Sequence, residues 1–301
     1  MFNRWYLGAL LVCWTASMSW LWVEKIWPTL TEGDRPQYAE VLPDVDEPPR
    51  RVAWEIQYRG RPIGTASNLS LRQADGSGRM ESRVRFDDLP LGEIMSELLG
   101  ALGNLLTPLW KSDANMRVRM VVESAMDIDS EGNLSAFTTD VRIADLPNVI
   151  RVEGEVVGAK LKVVVSMADE QGEMQTHYRD EIDLPHQAMV SGALSPQDRL
   201  TDLHVGQTWT MPVYRPFPPN SPVQMLQATV ECHEVFIWND QSRKAYQVVY
   251  RDDAGTGITI AREPIGRMWV REDGEVLQQQ ARVANMQFRF VRLPDEEQTT
   301  D

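Results

Sequence analysis

The feature that most constrains this fold is an alternation of apolar and polar residues that recurs through most of the chain. Met116, Val118 and Met120 share one parity, whereas Arg117 and Arg119 take the other. Successive side chains of a β-strand point to opposite faces of the sheet. The pattern therefore predicts strands with one buried face and one solvated face.

Many more segments alternate in the same way, and glycine-containing turns separate them. Short turns predict antiparallel neighbours, and a sheet of more than about ten strands is expected to curl or to split. The predicted fold is therefore mainly β: a strongly curled antiparallel sheet, either a half-barrel or two packed halves. The other predicted strands are 52–58, 63–72, 79–86, 149–157, 160–168, 173–182, 224–238, 244–251, 266–271, 275–283 and 286–292.

The segment 90–110 departs from this alternation, because its apolar residues recur in steps of three and four. That spacing predicts one amphipathic helix, which is expected to cover the hollow side of the curled sheet. The helix is either a permanent part of the core or a lid over an apolar ligand. Its apolar stripe, the predicted ligand-binding surface, consists of Leu91, Ile94, Met95, Leu98, Leu99, Leu102, Leu105 and Leu106.

The segment 5–23 contains no charged residue and is bracketed by Arg4 on one side and by Glu24 and Lys25 on the other. About twenty apolar residues in a helix span the hydrocarbon core of a bilayer, so the segment predicts a single transmembrane helix. A cleaved signal peptide is the alternative, because small residues lie at 15–19.

The predicted anchor sets the expected domain order and location. Residues 1–27 are the predicted transmembrane signal anchor and 28–50 a flexible acidic and proline-rich linker. Residues 51–293 form the predicted extracytoplasmic β domain, and 294–301 an acidic tail. The flanking charges favour a cytoplasmic N-terminus. We therefore expect a single-pass protein of the bacterial inner membrane whose main domain is periplasmic.

The formal net charge of −14 argues against a nucleic-acid partner, which would require a basic face. The expected partners are the lipid bilayer, through residues 5–23, and either an apolar ligand or another envelope protein.

The sequence Asp127-x-Asp129-x-Glu131-Gly132 imitates the start of a calcium-binding EF-hand loop. Thr138, however, occupies the position at which that loop needs a bidentate glutamate, and the flanking residues alternate as strands. We therefore interpret these residues as a hairpin turn in which glycine supplies a positive φ. No metal site is expected here.

The sequence contains no arrangement typical of a catalytic site. Cys232 and His233 are neighbours in one strand, so their side chains point to opposite faces and form no nucleophile–base pair. Cys232 shares its parity with Ala228 and Val230 and is interpreted as a buried, inert thiol. We therefore expect a protein that is not an enzyme and needs no cofactor.

The proline-rich stretch 212–222 is interpreted as a rigid crossover between two halves of the domain, with a polyproline binding site as the alternative. A faint repeat favours two related halves, because 129–134 and 271–276 each place an acidic glycine turn between two alternating strands.

Three short sequences resemble parts of known proteins. Residues 52–292, which include them, resemble uncharacterised membrane-anchored envelope proteins of planctomycete-type bacteria and, more remotely, periplasmic families with the lipoprotein-carrier type of half-barrel. The resemblance implies a strongly curved antiparallel sheet with a helix against its hollow side, and it implies no catalytic residue. The three sequences are Trp54-x-Ile56-x-Tyr58-x-Gly60-x-x-Ile63-Gly64, Val205-Gly206-Gln207-x-Trp209 and Trp269-Val270-Arg271-x-Asp273-Gly274-x-Val276-Leu277.

The sequence thus leads us to expect a membrane-anchored extracytoplasmic binding or scaffolding protein that holds a lipid or another apolar ligand in a groove of the curled sheet. The alternative is a structural partner subunit of a cell-envelope complex that has no small-molecule ligand.

Overall fold

The computed structural model describes most of the chain, and the described residues form one helix and fourteen strands. The described residues are 4–21, 41–90, 117–143, 149–169, 173–183, 195–214, 223–252, 263–283 and 286–294. The elements are α1 (Arg4–Leu21), β1 (Arg50–Tyr58), β2 (Arg61–Arg72), β3 (Gly78–Pro90), β4 (Arg117–Ile128), β5 (Leu134–Ile143), β6 (Val149–Val157), β7 (Lys160–Ala168), β8 (Met174–Asp183), β9 (Thr208–Tyr214), β10 (Val223–Trp238), β11 (Gln241–Asp252), β12 (Gly266–Arg271), β13 (Val276–Val283) and β14 (Met286–Arg292).

The fourteen strands form one open sheet in which every neighbouring pair is antiparallel. Strands β1 to β8 are neighbours in sequence order, and so are β9 to β14. The pairing of β1 with β14 joins the two runs and aligns Trp54 with Arg292. The prediction of a mainly β, antiparallel fold is confirmed, as one continuous sheet. The helix predicted at 91–109 lies outside the described residues.

One face of the sheet, the inner face, holds the core. On β3, Val84 and Phe86 of the inner face are buried, whereas Arg83 and Arg85 of the outer face are exposed. The buried side chains form two apolar clusters, and Val141 packs against both. The first cluster extends over β1 to β4 and β9 to β14, and the second over β4 to β8. Period-two alternation thus predicts the buried face of these strands correctly.

The connection between the two runs of strands differs from the sequence prediction. Strands β8 and β9 form opposite edges of the sheet, so the chain between Asp183 and Thr208 links one edge to the other. The prediction that 212–222 is the crossover is wrong, because β9 and β10 are adjacent strands and this stretch joins them. Strand order depends on contacts between residues far apart in sequence, which a local proline pattern does not encode.

The acidic glycine turn between β4 and β5 is a hairpin, as predicted. The N–H of Gly132 donates to the carbonyl of Asp129 at 3.0 Å, and Gly132 has a φ of +84°. The Asp129 carboxylate accepts a hydrogen bond of 2.8 Å from the N–H of Asn133, and the Asp127 carboxylate pairs with Arg79 at 2.9 Å. The Asp129 carboxylate therefore stabilises the hairpin turn, whereas the Asp127 carboxylate pairs with the neighbouring strand β3.

Cys232 does not lie on the buried face that its sequence neighbours predict. Val230 is opposite Val248 on the inner face, but the register shifts between Val230 and Cys232. This bulge places Cys232 opposite Gln247, on the outer face, where it is half-buried. Burial, followed by the negative charge of Glu234, raises the pKa of the thiol. The raised pKa disfavours the reactive thiolate.

Helix α1 covers most of the segment 5–23 that the sequence predicts as an anchor. Within the described residues, however, no helix is both long enough and apolar enough to cross a membrane. The transmembrane anchor stays a prediction.

Candidate functional site

A row of polar side chains crosses the inner face between the two apolar clusters. Asn68 of β2 lies opposite Ser82 of β3, which lies opposite Ser124 of β4, which in turn lies opposite Thr139 of β5. The hydroxyl groups of Ser124 and Thr139 are 3.0 Å apart and share a hydrogen bond. These four residues, which we call the polar row, interrupt an otherwise apolar face.

A short segment of the crossover, residues 195–200, lies against this face and is called the strap. The Asn68 side-chain amide donates to the carbonyl of Pro196 at 2.5 Å. At its other end, the N–H of Leu200 donates to the carbonyl of Gly274 at 2.8 Å. The strap therefore connects β2 with the turn that precedes β13, two places separated in the sheet by β1 and β14.

The strap places the carboxyl group of Asp198 in the interior, where the residue is 1% exposed. The Ser70 hydroxyl lies 3.4 Å from Asp198 Oδ2. Arg292 donates to the Asp198 carbonyl at 3.4 Å, and its other terminal nitrogen lies 3.5 Å from the Glu275 carboxylate. Burial raises the pKa of the Asp198 carboxyl group, and the positive charges of Arg50 and Arg292 oppose that shift without overcoming it.

Several buried polar atoms around the strap have no hydrogen-bond partner among the described residues. They are Trp54 Nε1, Asn68 Oδ1, Ser82 Oγ, Gln197 Oε1, Asp198 Oδ1 and Arg199 Nε. A buried polar group without a partner costs about 1–3 kcal/mol, and more than about 90% of such groups are paired in native structures. Their concentration at the strap and the polar row marks this place as a candidate binding site for a polar group.

Partly exposed apolar side chains adjoin the polar row. Met80 lies opposite Met126, two residues along their strands from Ser82 and Ser124 on the same face. Methionine side chains adapt their shape and are common at binding surfaces for apolar partners. The half-buried side chains that pack against the second cluster, which we call the apolar lining, are Met80, Met126, Val141, Val156, Tyr178 and Ile182.

The structure does not test the ligand-binding residues that the sequence predicts, because Leu91, Ile94, Met95, Leu98, Leu99, Leu102, Leu105 and Leu106 all lie outside the described residues. It identifies instead Asn68, Ser70 and Asp198, which sequence reasoning missed. Asn68 and Ser70 share the parity of the buried Ala66 on β2. Two polar residues at positions that alternation assigns to the core could have indicated this site from the sequence. Asp198 lies outside any strand, so alternation does not indicate it.

We expect the substitution Asp198→Asn to remove a pH dependence of stability. The pKa of Asp198 in the folded protein is raised above its ordinary value of 3.8, so the neutral form favours folding. This contribution is complete below the ordinary pKa and is lost as the pH rises through the raised value. The free energy of unfolding of the wild type, relative to that of Asp198→Asn, should therefore fall as the pH rises from about 4.

Urea unfolding of both proteins at a series of pH values measures this difference. Asp202→Asn is the control, because Asp202 belongs to the same crossover but is exposed; it should retain the wild-type profile. Parallel profiles for the wild type and Asp198→Asn would contradict the prediction.

Comparisons with known proteins leave the function open. No protein-family model matches the chain, and no curated protein does. Among solved structures, the chain is similar to a beta-barrel-like protein from Brucella abortus that consists of a domain of unknown function. The two share 10% identity with a TM-score of 0.46, over 83% of this chain and 98% of the other. This weak likeness assigns no family, and the resemblance to membrane-anchored envelope proteins is not confirmed.

Proposed function

We propose that this protein is a non-catalytic binding protein that holds an apolar ligand, such as a lipid chain, against the inner face of strands β3 to β8. The observation that supports this proposal is the apolar lining, whose side chains remain half-buried although the neighbouring second cluster is fully buried. The lining extends across five strand spacings of about 4.8 Å, roughly 24 Å. This length is enough for the lining to contact an extended lipid chain.

The size of the sheet also supports a groove. Open sheets rarely exceed about ten strands without curling, and this one has fourteen strands. Curling turns the inner face into a concave surface, and apolar ligands bind on concave, mainly apolar surfaces with a few polar groups. The polar row supplies those groups beside the lining.

The same proposal includes the expected location. The protein is anchored in the bacterial inner membrane through residues 5–23, with its β domain in the periplasm. A ligand taken from a bilayer would suit this location, because the domain would stay close to the membrane that contains the ligand.

Native mass spectrometry of the full chain, extracted from membranes in mild detergent, tests the proposal. We expect a co-purifying lipid on the wild type. Met126→Lys should lower the lipid-bound fraction by about tenfold, because a charge in the lining must be desolvated beside the ligand chain. Ala125→Lys is the matched control, since Ala125 is the next residue of β4 and lies on the outer face; it should leave the fraction unchanged.

The outcomes separate the proposals. A wild-type protein without lipid, or equal lipid on Met126→Lys and Ala125→Lys, would overturn the apolar-ligand proposal. The mass of the chain also reports the N-terminus: a chain that begins at Met1 supports the anchor, whereas a shortened chain supports a cleaved signal peptide.

A second candidate function, a partner subunit of an envelope complex, is favoured by the end of the β10–β11 hairpin. Val235 and Ile237 are 67% and 70% exposed there. The opposite side of the hairpin is held in place, because Phe236 stacks on Trp269 with ring centroids 5.2 Å apart. Exposed apolar residues on a well-held hairpin suit a protein contact. A complex with a second protein, found in place of bound lipid in the same mass spectra, would support this function.

A further inference from the structure

We propose that the ligand of the apolar lining is an amphiphile whose head is an uncharged hydroxyl group, and that this head binds between the strap and the polar row. The inference rests on the proposed function, since the lining must hold the apolar part of the same molecule. It adds the chemical class of the head.

The unpaired atoms at this place determine what the head must offer. Asn68 Oδ1 is a hydrogen-bond acceptor without a partner among the described residues, and Asp198 Oδ1, which accepts when ionised and can donate when protonated, has none either; both residues are buried. Ser82 Oγ, which can donate or accept, is unpaired in the same neighbourhood. A ligand group that donates a hydrogen bond satisfies Asn68 Oδ1, whereas a group that only accepts leaves this oxygen unpaired. A hydroxyl also accepts, so it suits the unpaired N–H groups of Trp54 Nε1 and Arg199 Nε as well.

The position of these atoms fits a molecule with a polar head and an apolar chain. Asn68 is opposite Ser82. Ser82 and Met80 of the lining occupy neighbouring inner-face positions on β3. The chain can therefore extend from Met80 and Met126 towards Ile182 of β8 while the head remains at the strap.

The charges around the strap favour an uncharged head. An ionised carboxylate has no hydrogen to donate to Asn68 Oδ1, and its charge would have to be desolvated in this buried place. The nearby arginines have other partners: Arg50 pairs with Glu47 at 3.3 Å and Arg292 with Glu275 at 3.5 Å, and a terminal nitrogen of Arg199 donates to the Asp273 carbonyl at 3.2 Å. A protonated amine would add a positive charge next to these arginines. A hydroxyl avoids either cost.

The test compares two amphiphiles with the same chain, 1-dodecanol and laurate. The full chain in mild detergent is incubated with an equimolar mixture, separated from free ligand by rapid gel filtration, and analysed by mass spectrometry of the extracted ligands. Protein-free micelles give the background partition of each compound. We expect the wild type to retain about tenfold more dodecanol than laurate after this correction.

Two variants locate the head. Asp198→Ala removes the unpaired Oδ1, so the preference for dodecanol should fall by about tenfold. Ser82→Ala removes a single hydroxyl and should lower the preference by about threefold, with little risk to folding. Ser67→Ala, a neighbouring residue on the outer face of β2, should leave the preference unchanged.

The outcomes distinguish this inference from the proposed function. If both compounds are retained equally, or if laurate is preferred, the hydroxyl head is overturned while the apolar-ligand proposal stands; buried water then pairs with the unpaired oxygens. If the wild type retains neither compound, both proposals fall. An unchanged preference in both Asp198→Ala and Ser82→Ala would also overturn the head-binding place.

Discussion

Substituting Gly64 with alanine is expected to lower the free energy of unfolding by roughly 3 kcal/mol, at the upper end of the usual cost of overpacking. A Cβ atom at this position would lie 2.0 Å from the carbonyl oxygen of Arg85 and 3.0 Å from the Cα of Phe86. Both atoms belong to the backbone of β3, which is hydrogen-bonded to β2 at this place. They cannot rotate away as a side chain would, so relief requires the two strands to separate.

Urea unfolding followed by circular dichroism measures the effect, with the midpoint and the slope fitted separately. Thr65→Ala is the matched control, because Thr65 is the next residue of β2 and is exposed; it should change stability by less than about 0.5 kcal/mol. A Gly64→Ala variant as stable as Thr65→Ala would show that the two strands do not approach as closely as the structure has them.

Truncating Trp209 to alanine is expected to cost about 3–5 kcal/mol, the usual loss for a buried tryptophan. Trp209 lies on β9, an edge strand that pairs only with β10 among the described strands. It is nevertheless 1% exposed and belongs to the first apolar cluster. Its side chain therefore holds the edge of the sheet to the core, and its removal leaves a cavity in addition to the lost apolar burial.

Urea unfolding measures the loss in the free energy of unfolding. Hydrogen exchange of the β9 amides shows whether the loss is localised to this strand. Thr210→Ala serves as the control, because Thr210 is the next residue of the same strand and is only half-buried. If Trp209→Ala is as mild as Thr210→Ala, or if β9 keeps its protection from exchange in the truncated variant, the edge strand is held by something other than this side chain.

Both substitutions fall in short sequences that the sequence analysis singled out, and the structure gives each residue a role in packing. Gly64 permits a close approach of two backbones, and Trp209 fills the core from an edge strand. Their roles are structural, so they bear on folding and not on the identity of a ligand.

The sequence alone determined the local features of this protein. Side-chain alternation is a property of neighbouring residues, and it placed most strands within a few residues of their observed ends, from 52–58 for β1 to 286–292 for β14. The hairpin at Asp129 and Gly132 was likewise predictable, because turn geometry depends on the residues of the turn itself.

Tertiary structure alone decided the features that depend on distant residues. The pairing of β1 with β14 brings together the two ends of the domain, and the bulge after Val230 moves Cys232 to the outer face although its parity matches that of the core. The candidate site has the same origin: Asp198 meets Ser70 across 128 positions of sequence. The parity of Ser70 predicts that its side chain lies on the buried face, but it does not predict the contact with Asp198. A local pattern indicates the face to which a side chain points and not the distant residue that it contacts.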